Sequence, residues 1–204
     1  GGVLEAVSLF GQIYGNYGVA LLAAGEAKRF GSDKLSEKFQ GIPLYRHALE
    51  KLEAFSGLSR VVVTAREALA EEAQRLGIHI VENRQPEQGI SHSVSLALQE
   101  LLSQNPDLEG VLFLVCDQPG IQAATIQKIL NEGSLHKNSI VCAGYDGMRG
   151  NPVLWGSTYF QELKHMTGDT GGRQLMKQYE EKIRIVECAP EELKDIDRRE
   201  DMTE

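Results

Sequence analysis

Residues 21–34 read LLAAGEAKRFGSDK and run from an apolar segment directly into a turn that contains two glycines. Three cations, Lys28, Arg29 and Lys34, are grouped around these glycines in a chain whose net charge is −8. Such a turn is either a solvated surface loop or a local cradle for phosphate, because glycine lets backbone N–H groups approach a ligand closely. Which of the two applies depends on where the turn lies in the fold.

Apolar runs bounded by turn residues alternate with segments of helical period along the whole chain. The runs predict strands at 19–22, 60–64, 79–81, 111–115, 139–143, 153–155 and 183–186. The helical segments are 44–55, 67–76, 91–102, 124–131, 158–165 and 172–179. This alternation is typical of βα units around a mainly parallel sheet, so we predict a single α/β layered sandwich over residues 18–204. Residues 1–17 are interpreted as a glycine-rich leader, either disordered or introduced by cloning.

The composition excludes several classes of function. The chain has 204 residues, of which 42% are hydrophobic and 25% charged, as in an ordinary globular protein of one domain. Its acidic balance argues against a surface for nucleic acid or for an anionic membrane, since either needs a broad basic field. No apolar run approaches the roughly 20 residues that span a bilayer. The three cysteines form no C-x-x-C pair, which favours reduced thiols and a cytoplasmic location.

The turn after the first predicted strand has the residues that a phosphate site needs. Parallel sheets bind ligands beyond the carboxyl ends of their strands. There, Ala23, Ala24 and Gly25 leave room for a close approach of the backbone, and Arg29 and Lys34 add positive charge. Neither G-x-x-x-x-G-K-[ST] nor G-x-G-x-x-G is present. As a bare pattern, this segment therefore leaves the surface turn open as an alternative.

A carboxylate follows a second buried run, in residues 111–120 (VLFLVCDQPG). Asp117 is expected at the ligand edge of the sheet, and Pro119 stops the ladder of hydrogen bonds immediately afterwards. Carboxylate oxygens suit Mg²⁺, whose coordination is normally completed by water and substrate phosphates. Asp117 is therefore a candidate metal ligand, and a simple Asx-turn is the alternative.

Residues 89–98 (GISHSVSLAL) predict the start of a helix that points at the same edge. Ser91 is expected to cap this helix, with Ser93 just inside it. Free N–H groups and hydroxyls would then face the strand ends, where a ligand can use them. Helix capping alone also explains the pattern.

Together, the segments resemble the nucleotidyltransferases related to molybdenum cofactor cytidylyltransferases and guanylyltransferases. Residues 21–34 match L-A-A-G-x-x-x-R-F-G-x-x-K, the phosphate-binding signature of that family. Further segments follow in the family's order. They depart from its pattern at Asn151, where R-G-H-P is most common, at Gly172, where G-D-x-G-A-R has alanine, and at Arg198-Arg199, where D-I-D-T-P-E-D-L has Thr-Pro.

The resemblance implies a three-layer sandwich with a Rossmann-like sheet of the nucleotide-diphospho-sugar transferase type, and it implies roles for individual residues. The implied catalytic residues are Arg29, Lys34 and Asp117. The implied nucleotide contacts are Leu22, Ala23, Ala24, Gly25, Gly89, Ser91 and Ser93. The implied acceptor contacts are Arg149, Asn151, Pro152, Asp169 and Arg173. For Mg²⁺ the implied ligands are Asp117 and Asp197. Two alternatives for the second ligand stay open: Asp195 in place of Asp197, or neither of these aspartates.

The resemblance further implies transfer of CMP from CTP to the terminal phosphate of a molybdopterin-type cofactor, with a molybdenum hydroxylase as recipient of the product. CTP is expected because Ala23-Ala24 narrows the floor beside the first strand, where guanylyl-transferring relatives have Gly-Gly. Two alternatives stay open. One is a nucleotidyltransferase that acts on a sugar or alditol phosphate, and the other is a non-catalytic carrier of the molybdenum cofactor.

Overall fold

Strands and helices alternate along residues 16–25, 33–169, 172–197 and 199–203, which a computed structural model of the chain describes. The strands are β1 Tyr17–Ala23, β2 Lys38–Phe39, β3 Ile42–Pro43, β4 Ser59–Thr64, β5 His79–Glu82, β6 Gly110–Val115, β7 Ile140–Tyr145, β8 Met148–Gly156 and β9 Ile183–Glu187. The α-helices are α1 Leu44–Glu53, α2 Glu67–Arg75, α3 Ile90–Gln104, α4 Ala123–Leu135, α5 Phe160–His165 and α6 Arg173–Gln178.

The central sheet has seven strands in the order β5-β4-β1-β6-β8-β7-β9. β1 pairs in parallel with β4 on one side and with β6 on the other. Among the described strands of this sheet, only β8 runs antiparallel, between β6 and β7. β2 and β3 form a separate antiparallel pair. The prediction of a mainly parallel sheet is therefore confirmed, and the carboxyl ends of six strands meet at one edge.

Every predicted strand and helix is found, with shifts at the ends of elements. β1 begins at Tyr17, which the sequence interpretation placed in the leader but which is only 4% exposed. The helix predicted over 158–165 divides into a 3₁₀ turn, Ser157–Tyr159, and α5. These shifts leave the order and type of the elements unchanged.

Two apolar clusters cover the faces of the sheet. On one face, α1, α2 and α4 pack against the strands, with Leu49 and Ile126 among the fully buried side chains. On the other face, α3, α5 and α6 pack against Trp155 and its neighbours. Strands buried on both faces read as continuous apolar runs, which is why β6 is apolar throughout. No described helix is both long and apolar enough to cross a membrane.

The chain after β9 runs along the carboxyl edge of the sheet, where β9 ends, and is held there by a buried carboxylate. Glu192, in the 3₁₀ turn Pro190–Leu193, is 8% exposed. Its carboxylate accepts hydrogen bonds from the hydroxyl of Thr125 at 2.6 Å and from the backbone N–H groups of Gln122 at 3.0 Å and Ala189 at 3.1 Å. Glu192 thus fastens the returning segment to the start of α4.

We expect Glu192→Ala to lower the free energy of unfolding by about 3 kcal/mol, because three donors lose the carboxylate that satisfies them. Chemical denaturation monitored by circular dichroism measures this change. Glu191→Ala is the matched control, since Glu191 is the exposed neighbour, and it should change the free energy by less than about 0.5 kcal/mol. Equal effects of the two substitutions would contradict the interpretation.

Candidate active site

A cleft of about 520 Å³ opens at the carboxyl edge of β1, β4, β5 and β6. Its walls come from segments that follow these strands, from the start of α3, and from the segments around Asp169 and Asp197. The lining residues are Leu22, Ala23, Ala24, Gly25, Lys34, Leu35, Arg66, Asn83, Pro86, Glu87, Gly89, Ile90, Ser93, Val115, Cys116, Asp117, Asp169 and Asp197.

The structure brings most of the implied nucleotide, catalytic and metal residues into this one cleft. Those that line it are Leu22, Ala23, Ala24, Gly25, Lys34, Gly89, Ser93, Asp117, Asp169 and Asp197. Arg29 lies outside the described residues. Ser91, Arg149, Asn151, Pro152 and Arg173 are described but do not line the cleft.

The end of β1 is fastened from the neighbouring strand. The Thr64 hydroxyl donates to the Ala23 carbonyl at 3.1 Å, and the backbone N–H of Arg66 donates to the Thr64 hydroxyl at 3.0 Å. Ala23 and Ala24 are buried, whereas Gly25 is exposed at the mouth of the turn. The end of β1 is therefore held in place by β4, and the residues that follow it, Ala24 and Gly25, line the cleft.

Lys34 and Asp117 form an ion pair in the lining of the cleft. The Lys34 Nζ lies 3.7 Å from the Asp117 Oδ2 and donates to the Ile196 carbonyl at 2.9 Å. The backbone N–H of Ile196 donates to the Asp117 carbonyl at 2.7 Å. These contacts bring the segments after β1, β6 and β9 together, although the three lie far apart in the sequence.

Three carboxylates interact at this point. Burial raises the pKa of Asp117. The positive charge of Lys34 opposes this increase, whereas the negative charge of Asp197 adds to it. The pKa of Asp195 is raised to about 6, first by desolvation and then by the charge of Asp117. Partly desolvated carboxylates that repel one another gain from a cation among them. The donor set therefore fits a hard divalent ion.

The carboxylates do not form a complete protein cage for a metal. Among the described residues, no group of three or more His, Cys, Asp or Glu side chains has an arrangement that could hold an ion. Mg²⁺ is commonly held by one or two carboxylates while water and substrate phosphates complete the coordination. An ion at Asp117 would therefore depend on the substrate for part of its ligands.

The cysteine beside Asp117 is not a nucleophile. Cys116 is 3% exposed, and burial together with the charge of Asp117 raises the pKa of its thiol to about 12. The thiol therefore stays protonated at neutral pH, whereas a cysteine attacks as the thiolate. All three cysteines, Cys116, Cys142 and Cys188, are unpaired.

The start of α3 differs from the prediction that Ser91 caps it. The helix begins at Ile90, and Gly89 is the N-cap with φ 86°. The Ser91 side chain is buried, and its backbone N–H donates to the Gly168 carbonyl at 3.3 Å. A Cβ on Gly89 would lie 2.5 Å from Asp169 Oδ1. Glycine is therefore required at position 89 for two reasons: its φ is positive, and the segment that carries Asp169 lies too close for a side chain.

Asn83 is a cleft residue that the sequence interpretation missed. It is fully buried, and its Nδ2 donates to the Ser93 hydroxyl at 2.8 Å. Its Oδ1 accepts from the backbone N–H of Gln85 at 2.8 Å, and its own N–H donates to the Thr64 carbonyl. Asn83 directly follows β5, and Arg66, also missed, follows β4. The rule that strand ends carry the chemistry points to both when it is applied to every parallel strand.

Most of the implied acceptor residues lie outside the lining of the cleft. Arg149 forms an ion pair with Glu180, with Nη2 and Oε1 3.0 Å apart. The Asn151 carbonyl accepts a hydrogen bond from Gln118, and Pro152 is buried. Arg173 is exposed at the first position of α6. Asp169 is the one implied acceptor contact that lines the cleft.

Comparison with known proteins identifies the family. Residues 19–183 match the family described as the MobA-like NTP transferase domain. The chain belongs to this family. The resemblance seen in the sequence motifs is thereby confirmed, and the protein is a nucleotidyltransferase.

Individual relatives agree with this assignment. The purine catabolism protein PucB of Bacillus subtilis is 28% identical over 168 residues, which are 76% of this chain and 78% of PucB. A probable molybdenum cofactor guanylyltransferase of Thermococcus gammatolerans is 37% identical over 62 residues, 30% of this chain and 32% of the relative.

A solved structure shares the fold. The crystal structure of Rv0371c from Mycobacterium tuberculosis H37Rv superposes with a TM-score of 0.74 at 21% identity, over 91% of this chain and 95% of that chain. The manganese complex of Rv0371c superposes with a TM-score of 0.65 at 20% identity, over 85% and 88% of the two chains.

The departure from the family's alanine at position 172 has a structural cause. A Cβ on Gly172 would lie 2.4 Å from the Trp155 ring, which is itself only 3% exposed. We expect Gly172→Ala to lower the free energy of unfolding by about 1–3 kcal/mol through overpacking. Combining it with Trp155→Phe should give a loss smaller than the sum of the two single losses.

Denaturation of the two single variants and of the double variant measures this coupling. Gly25→Ala is the matched control for stability, because no described atom lies within 4 Å of a Cβ at that position. Strictly additive losses for Gly172→Ala and Trp155→Phe would show that the ring does not limit position 172.

Proposed function

We propose that this nucleotidyltransferase transfers CMP from CTP to the terminal phosphate of a molybdopterin-type cofactor and releases pyrophosphate. The observation that supports this reaction is the convergence of the 23–25 turn, Lys34 and Asp117 at one cleft. Backbone N–H groups and a cation are what a triphosphate requires, and a carboxylate is what its metal requires.

The reaction needs no general base from the protein. A phosphate monoester is already ionised at neutral pH, so its oxygen can attack the α-phosphorus directly while the bond from that phosphorus to the pyrophosphate oxygen breaks. The described lining of the cleft contains no histidine. Positioning and neutralisation of charge therefore supply the catalysis, as is general for phosphoryl chemistry.

Lys34 is proposed to neutralise phosphate charge. Its side chain is 12% exposed and is aimed by the Ile196 carbonyl, so the ammonium group is held in place before the nucleotide binds. Preorganised charge costs no rearrangement during reaction. Arg29 is proposed as the second phosphate contact, as the family motif implies.

Asp117, with Asp197 or Asp195, is proposed to hold Mg²⁺. When bound, the ion would neutralise charge on the phosphate oxygens. The side chains themselves keep the site acidic and partly dehydrated, and Lys34 limits the repulsion among them.

The choice of CTP rests on the floor of the cleft. The buried Ala23 and Ala24 narrow the space beside β1, which favours a pyrimidine over a purine. Gly89, Ser91 and Ser93 at the start of α3 are proposed to position the base, Ser93 directly from the cleft wall and Ser91 through the backbone contact to Gly168.

The product would serve a molybdenum hydroxylase, and the protein would act as a single domain that includes β1, in the cytoplasm. The likeness to PucB, named for purine catabolism, supports this context. Unpaired cysteines are compatible with a reducing compartment.

A sugar or alditol phosphate is a second candidate acceptor. It is favoured by the positions of Arg149, Asn151, Pro152 and Arg173, none of which lines the cleft. The roles of these residues toward a pterin stay predictions. Pyrophosphate release with sugar 1-phosphates, measured beside the release with the molybdenum-loaded pterin cofactor, separates the two acceptors.

We expect Lys34→Ala and Asp117→Asn each to lower kcat/KM for CTP by about 10²–10³-fold, because each removes a preorganised charge at the phosphates. Pyrophosphate release with Mg²⁺ and the molybdenum-loaded pterin cofactor measures the effect. Lys38→Ala and Asp107→Asn are matched controls at exposed positions and should retain wild-type rates. No release by the wild type from CTP or GTP, with cofactor still bound, would instead favour a carrier.

The double substitution Ala23→Gly with Ala24→Gly should let GTP compete with CTP, because it removes two methyl groups from the floor of the cleft. We expect the ratio of kcat/KM for CTP to that for GTP to fall by about tenfold or more, the amount that one or two methyl groups contribute to discrimination. Pyrophosphate release with each nucleotide alone gives the ratio. An unchanged ratio would show that these residues do not set the choice of base.

A further inference from the structure

The Arg66 side chain joins two segments of the cleft that are separated in the sequence. Its Nη1 donates to the Ala23 carbonyl at 2.8 Å, and its Nη2 donates to the Gly25 carbonyl at 3.2 Å. Its Nε donates to Asp33 Oδ1 at 2.7 Å. One planar guanidinium thus connects the end of β1 with the residue that precedes Lys34.

The Arg66 contacts are sheltered and firmly supported. The Arg66 side chain is 19% exposed. Its backbone N–H is bonded to the Thr64 hydroxyl, which also donates to the Ala23 carbonyl. The Arg66 backbone is therefore linked through Thr64 to the Ala23 carbonyl, which its guanidinium group also contacts directly. A rigid fork with donors in one plane suits such a bridge, and a lysine ammonium cannot reproduce it.

Asp33 is held as the charged partner in this bridge. Partial burial disfavours its charge, but hydrogen bonds from Arg66 and Ser36 outweigh that effect, so the pKa of Asp33 is lowered. Ser36 Oγ donates to Asp33 Oδ2 at 2.8 Å. The carboxylate thereby links Arg66 to the 3₁₀ turn Lys34–Ser36, which carries the proposed catalytic lysine.

We propose that Arg66 is a positioning residue that sets the distance between the phosphate-binding backbone at Ala23–Gly25 and the Lys34 ammonium, through its bonds to Ala23, Gly25 and Asp33. This inference rests on the proposed binding of a nucleoside triphosphate in the cleft. The bridge belongs to the triphosphate half of the site. The base is proposed to bind near Asn83 and the start of α3, and the Arg66 side chain is hydrogen-bonded to neither of them.

The alternative is that Arg66 only supplies positive charge to the phosphates. The two roles predict opposite effects of neutralising Asp33. If charge alone matters, Asp33→Asn removes a negative charge near the polyphosphate and should tighten binding of CTP. If the bridge positions Lys34, Asp33→Asn replaces the charge-assisted hydrogen bond from Arg66 by a weaker neutral one and should weaken binding.

The test measures the binding of CTP, inorganic tripolyphosphate and cytidine to the full chain by calorimetry with Mg²⁺. We expect Arg66→Gln and Asp33→Asn each to raise the Kd for CTP and for tripolyphosphate by about tenfold or more. The Kd for cytidine should stay unchanged. The double variant should bind CTP no more weakly than Arg66→Gln alone, because both substitutions act on the same bridge.

Three further variants keep the test decisive. Arg66→Lys retains the positive charge but loses the planar guanidinium fork, so it should also weaken CTP binding. This variant provides the test if Arg66→Gln fails to fold. Arg75→Gln removes an arginine whose side chain is 73% exposed and should bind CTP as the wild type does. Ser36→Ala removes the hydrogen bond from Ser36 to Asp33 and leaves the three bonds of the Arg66 side chain in place.

The outcomes separate this inference from the proposed function. Tighter or unchanged CTP binding by Asp33→Asn, or wild-type binding by Arg66→Lys, would overturn the positioning role while leaving the nucleotidyltransferase proposal intact. Failure of the wild type to bind CTP, GTP or tripolyphosphate would overturn the proposed site itself.

Discussion

The burial of the central sheet on both faces is the constraint from which the site follows. Helices cover both faces, so the middle of each inner strand has to be apolar, as β6 shows. Unpaired polar groups inside such a layer would cost several kcal/mol each. Polar side chains are therefore confined to the strand ends, and the parallel arrangement brings those of β1, β4, β5 and β6 to one edge.

β9 runs parallel to β7 and therefore ends at that same edge. After β9, the segment around Glu192 and Ile196 crosses the carboxyl ends and is fastened to the start of α4 and to the segment after β6. Gln118 adds hydrogen bonds to the carbonyls of Glu192 and Asn151. Because Ile196 accepts from Lys34, residues from both ends of the domain meet over the same cleft. The site is thus completed by a segment that belongs to no strand of the sheet.

Several site residues could be predicted from the sequence because each of them lies next to the carboxyl end of a strand, and the strand pattern shows where that end is. Ala23, Gly25 and Asp117 are of this kind, and the structure places all three in the cleft. Arg66 and Asn83 obey the same rule but stand outside the family motifs, so the motifs do not identify them. The capping role expected of Ser91 was wrong, because Gly89 takes a left-handed conformation and starts the helix earlier.

The sequence by itself determined the order and type of the α-helices and of the strands in the central sheet, the mainly parallel character of that sheet and the family, because apolar periodicity and strand-end motifs are local properties of the chain. The short pair β2–β3 did not follow from the sequence pattern. Only the tertiary structure decided which distant residues meet. The hydrogen bonds from Arg66 to Ala23, Gly25 and Asp33, the contact between Lys34 and Asp117, and the fit of Gly172 against Trp155 depend on packing between segments tens of residues apart. Pattern and propensity describe neighbours along the chain, whereas these contacts join neighbours in space.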